Sequence, residues 1–145
     1  MGAADTPRTG MADDAVDLAG RWDVIHHVTQ SRVARYVGLE IRFQVALRQD
    51  GTRITGSGEK YRVGHELIPS TERSLLAIAG SIEGGRVTLE IVERSPAHPD
   101  RDIGASVDWQ VAGPNLVAGT FRSEAGESTG RSRAMRQRAE DEPAV

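Results

Sequence analysis

Leu39-Glu40-Ile41-Arg42-Phe43-Gln44-Val45-Ala46-Leu47-Arg48 alternates apolar and polar side chains without a break, with Ala46 the mildest of the polar-side positions. A period of two places successive side chains on opposite faces, so this stretch is a strand with one dry face and one wet face. Gln49-Asp50-Gly51-Thr52 follows, with the Asp-Gly pair that a tight hairpin prefers, and Ile54 to Val63 then returns as the partner strand.

The same pattern recurs outward from this hairpin at intervals of about 12 residues, the spacing of hairpin-built sandwiches and barrels. Arg21 to Thr29 precedes it as a first strand. Leu75 to Ile82 and Arg86 to Glu93 flank the turn Glu83-Gly84-Gly85. Ile103 to Val111 keeps Ile103, Ala105, Val107, Trp109 and Val111 on one side. Gly113-Pro114-Asn115 leads into Leu116 to Ser123, and Glu124-Ala125-Gly126-Glu127 leads into Ser128 to Met135. The count reaches eight strands. Two connections are longer, Gly64 to Arg73 with Pro69 and Arg94 to Asp102 with Pro96 and Pro99, and Val33 to Gly38 is irregular. Glycines inside strands, at Gly56, Gly58, Gly80, Gly104, Gly119 and Gly130, weaken a flat sheet but suit one that must bend sharply to close. The expected fold is therefore all-β: a single eight-stranded antiparallel up-and-down β-barrel over residues 18–136. Residues 1–17 are expected to be a mobile tail or a lid, with Ala15-Val16-Asp17-Leu18 able to dock over an opening, and residues 137–145 a disordered tail.

Composition narrows the function. A 145-residue chain holds one core, and 16 glycines with only 4% aromatics fit curved strands better than helices. A net charge of −3 provides no field that gathers phosphates, so nucleic acid is not an expected partner. The cluster Arg131, Arg133, Arg136 and Arg138 is followed at once by Glu140, Asp141 and Glu142 and reads as a solvated run. The absence of cysteine removes disulfides, thiolate nucleophiles and zinc-thiolate sites. No apolar run approaches the about 20 residues of a membrane helix, and no signal peptide opens the chain, so no membrane partner and a cytoplasmic location are expected. Oligomeric state stays open, a homodimer included.

Gly20-Arg21-Trp22, at the start of the first strand of an eight-strand meander, resembles the Gly-x-Trp signature of the calycins, the lipocalin and avidin-like barrels. The resemblance implies that Trp22 closes one barrel end after Gly20 and stacks against a basic residue of the final strand, which Arg131 or Arg133 would supply, with Arg136 the weaker candidate. It also implies a lumen for an apolar ligand. Without leader or cysteines, the chain looks closer to intracellular bacterial barrels, such as spirotetronate-type cyclases, than to secreted lipocalins.

The chemistry-bearing residues are few. His26 and His27 are neighbours on a strand and so face opposite ways, which prevents them from sharing a metal. If Trp22 and Val24 face inward so does His26, as a proton donor or acceptor or as an ordinary histidine. His65 and His98 lie in the long loops without metal-ligand spacing, so no metal and no cofactor are expected. Ser57, Glu59 and Tyr61 share one strand face: in the lumen they would orient a substrate, on the outside they would be a solvated row. Leu39, Ile41, Phe43 and Val45, with Trp109, form the candidate lumen wall, or simply a packed core, since a barrel of about eight strands can be filled or hollow.

Two functions compete. One is a cofactor-independent cyclase or isomerase that folds a polyketide-like substrate by positioning and water exclusion, with His26, Glu59 and Tyr61 as catalytic groups. The other is a non-enzymatic carrier or sensor of a hydrophobic ligand.

Overall fold

The computed structural model describes residues 16–137, and the expected tails lie almost wholly outside them. The order is β1 (Gly20–Gln30), β2 (Glu40–Asp50), β3 (Arg53–Val63), β4 (Glu66–Leu67), β5 (Leu75–Glu83), β6 (Arg86–Ser95), β7 (His98–Gly113), β8 (Leu116–Ser123) and β9 (Ser128–Arg136). Every ladder is antiparallel, and β1 pairs with both β2 and β9, so eight strands close into a ring. β4 is a two-residue strand outside that ring, held on the end of β3 through Arg62 and Val63. Among the described residues no helix is long and apolar enough to cross a membrane.

Local chemistry accounts for the turns. Glu83 pairs with Arg86 across Gly84 and Gly85, whose φ angles of 57° and 80° give the left-handed backbone that a two-residue hairpin of this twist needs. Closure itself demands bare positions: a Cβ on Gly80 would lie 1.9 Å from the Thr88 carbonyl oxygen, and one on Gly119 1.9 Å from that of Asp108. Only glycine allows neighbouring strands to fold together that closely. The Arg94 to Asp102 connection, expected as a loop, is instead the tip of the β6–β7 hairpin, with Arg94 paired to Asp102 and Ser95 to His98. Pro99 is tolerated there because β8 pairs with β7 only from Ala105 onward, which leaves that edge free of a ladder.

One end of the barrel is solid. Trp22 lies in the packed interior of this end at 1% exposure, and its indole Nε1 donates to the Leu18 carbonyl oxygen at 2.8 Å. Leu18, equally buried, is held by its own N–H on Gln49 Oε1 at 2.9 Å. Leu47, Ile54, Ile82, Val87 and Val117 complete the plug. The cation over Trp22 is Arg136, 4.6 Å from the ring centroid, and neither Arg131 nor Arg133. Parity explains the correction: Ser132 and Ala134 point inward, so Arg131 and Arg133 project into solvent while Arg136 shares the inward side. Its guanidinium donates to the carbonyl oxygens of Ala19 at 2.7 Å, Asp17 at 2.6 Å and Pro114 at 3.0 Å, sewing the segment before β1 and the end of β9 to the β7–β8 turn. Gly20 leaves room for it, with φ of 130° and a would-be Cβ 3.2 Å from the Arg136 guanidinium.

Candidate functional site

The opposite half of the barrel is hollow. A cavity of about 300 Å³ lies there, bordered by Tyr36 of the β1–β2 connection and Ala125 of the β8–β9 connection, at the low edge of the about 300–1,000 Å³ usual for small-molecule sites. The expected wall residues Leu39, Ile41, Phe43, Val45 and Trp109 all line it, joined by Leu76, Ile78, Leu89 and Ile91 from β5 and β6. Space remains because the β7, β8 and β9 side of the mouth is faced with small groups, Ala105, Ser123, Ala125 and Ser128. Trp109 forms the floor, its indole N–H donating to Ser132 Oγ at 2.8 Å.

His26 points into this lumen at 4% exposure, while His27 on the other face of β1 is only half-buried. The imidazole stacks on Phe121 at 4.1 Å between centroids and meets Phe43 edge-on at 4.8 Å. Burial among these rings pulls its pKa from 6.5 down to about 3, so it is neutral at ordinary pH. Its Nε2 is buried without a hydrogen-bond partner among the described residues.

The three residues of β3 expected to act beside it, Ser57, Glu59 and Tyr61, face away. Ser57 is exposed on the outer surface of β3. Glu59 receives a hydrogen bond from Arg73 at 3.2 Å outside the ring. The Tyr61 hydroxyl donates to Asp23 Oδ1 at 2.6 Å, and Arg42 contacts the same carboxylate at 3.4 Å. Partial burial and that carboxylate raise the phenol pKa above its usual value. The ladder explains the placement: Phe43 pairs with Lys60 and Arg42 with Arg62, so Tyr61 is the extra residue of a bulge, and the inward set on β3 is Ile54, Gly56, Gly58, Lys60 and Val63. The solvated-row alternative is the one this geometry matches.

Two lumen residues escaped the sequence reading. Lys60 and Glu93 both line the cavity at its mouth and form an ion pair of 2.6 Å, with side chains 24% and 15% exposed. Parity carried the signal for Glu93, which follows Val87, Leu89 and Ile91 on the inward side of β6. For Lys60, choosing Gly56 and Gly58 as its inward companions would have been enough.

No known protein-family model matches the chain, and no curated protein matches it. Solved structures do. A de novo designed fluorescence-activating β-barrel aligns with TM-score 0.59 and 16% identity over 86% of this chain and 98% of its own. A redesigned β-barrel bound to DFHBI aligns with TM-score 0.59 and 10% identity over 90% of this chain and all of its own (100%). A further redesigned barrel reaches TM-score 0.60 at 10% identity. These likenesses establish the small antiparallel barrel as the architecture.

Proposed function

We propose that this chain takes an apolar small molecule into the hollow half of its barrel. The observation that carries the reading is the 300 Å³ lumen, walled by aliphatic and aromatic side chains and lined by His26, whose buried Nε2 has no hydrogen-bond partner among the described residues. An interior meant only for packing fills such space, because voids forfeit contact energy. The designed barrel bound to DFHBI supports the reading by analogy, since a ring of this size there accompanies a small ligand. The Trp22–Arg136 stack behind Gly20 supports the resemblance to the calycins, whose barrels take apolar ligands.

Binding without chemistry, as a carrier or sensor, needs nothing further. The cyclase or isomerase reading keeps His26 as a neutral donor or acceptor in the lumen and draws on the Lys60–Glu93 pair in place of Glu59 and Tyr61, which face solvent. The test is native mass spectrometry of freshly purified protein beside Ala105→Trp, which fills the lumen from β7. A retained ligand in the first and none in the second is the expected result, and an empty barrel that takes up no apolar compound contradicts binding. Chromatography of the released ligand then separates the two versions, because an isomerised product changes retention at constant mass whereas a carried ligand does not.

A further inference from the structure

The polar groups of the lumen are few enough to specify what sort of ligand they accept. Lys60 and Glu93 are the charged side chains among the described residues lining the cavity, and at 2.6 Å they neutralise one another. His26 contributes no charge that could alter this sum: Phe43 and Phe121 pack directly on its ring, where an imidazolium would have no counterion. Its Nε2 nevertheless lacks a hydrogen-bond partner among the described residues, a costly state for a buried polar atom, and its side chain is one of those that line the cavity.

We infer, resting on the binding reading above, that the lumen selects an uncharged ligand whose apolar body presents one hydroxyl or carbonyl to His26 Nε2, and that the Lys60–Glu93 pair excludes carboxylates. A carboxylate entering the mouth meets Glu93 or must draw Lys60 away from it, which leaves a half-buried carboxylate without its counterion. An amine meets the converse penalty at Lys60. A neutral group that both donates and accepts bonds to the pair without breaking it. The ion pair is thus a specificity device that acts by repelling the wrong charge rather than by attracting the right one.

Three probes of nearly the same shape test this: 4-(1-hydroxyethyl)biphenyl, 4-isopropylbiphenyl and biphenyl-4-carboxylate, titrated calorimetrically into the full chain. The alcohol is expected to bind about tenfold more tightly than the hydrocarbon, and the carboxylate at least about tenfold more weakly than the alcohol. In Glu93→Gln the freed Lys60 raises carboxylate affinity relative to that of the alcohol by about tenfold or more. His26→Phe, which replaces one ring by another among Phe43 and Phe121, brings alcohol and hydrocarbon to equal affinity. Should Glu93→Gln not fold, Lys60→Met provides the mirror test, a gain of about tenfold for 4-(aminomethyl)biphenyl. Equal affinities for all three probes, or a carboxylate that binds most tightly to the unaltered protein, overturn the inference and leave lumen binding intact. Failure of every probe to bind overturns both.

Discussion

The two halves of this barrel are built from the same alternating strands and end in opposite states. At one end Trp22, Leu18, Leu47, Ile54, Ile82, Val87 and Val117 close the lumen with almost no exposure, and Arg136 binds the Asp17 and Ala19 carbonyl oxygens beside them. At the other, Leu39, Ile41 and Ile91 point inward yet stay only half-buried around an open cavity. Binary pattern is identical in both. The difference lies in side-chain volume and in what covers the opening: a tryptophan and a docked leucine at the solid end, alanine and serine at the hollow one. A barrel of eight strands stands at the size where either outcome is reachable, and this chain uses one for stability and the other for space.

That division predicts unequal costs for the same kind of truncation. Trp22→Ala should lose about 3–5 kcal/mol in urea denaturation, because it opens a cavity, orphans the Leu18 carbonyl oxygen and removes the surface under Arg136. Ile91→Ala at the hollow end should lose less than about 2 kcal/mol, since the deleted methyls border existing space. Equal losses would mean that the two ends are not energetically distinct. Next in size is Gly80→Ala, expected to cost about 1–3 kcal/mol or to lower the yield of folded protein, as its methyl would meet the Thr88 carbonyl oxygen.

A pH titration probes the hollow end from within. The His26 pKa is lowered by burial, so the folded protein binds fewer protons there than the unfolded chain between pH 6.5 and about 3. Stability is therefore fully present above the unfolded value and falls as pH drops below it, by about 1.4 kcal/mol per pH unit from this group. His26→Phe should flatten that slope between pH 6.5 and 5, above the range where most carboxylates titrate. An unchanged slope would place the acid sensitivity elsewhere. The smallest effect belongs to the outer face: Tyr61→Phe loses the bond to Asp23 and should cost about 0.5–1.5 kcal/mol while leaving affinity for any lumen ligand unaltered. A tenfold change in that affinity would show that the outer cluster does reach the site.

Much of this was legible in the chain itself. Period two in Leu39 to Leu47, the Asp50-Gly51 turn, the paired Gly84 and Gly85 and the recurring strand length together specify antiparallel hairpins, because pleat geometry and left-handed turn backbone are local properties. The inward parity of Trp22, Val24 and His26 followed from the same rule, as did the wall from Leu39 to Val45. Parity also held the answer for Arg136 and Glu93, but both sit near strand ends, where a one-residue choice of register reverses the face.

Other features were decided only when the ring closed. Alternation from Ile54 turns Ser57, Glu59 and Tyr61 outward and Lys60 into the lumen, while the bulge at Tyr61, set by pairing between β2 and β3, is what returns Val63 to the inward side. The ion pair joins residues 33 positions apart on strands that do not neighbour each other, so no local pattern announces it. Whether the centre is filled or vacant depends on summed volumes from eight strands at once. Alternation along a strand determines which side chains turn inward, whereas the distance between facing walls, and so the room left for a ligand, exists only in the assembled cylinder.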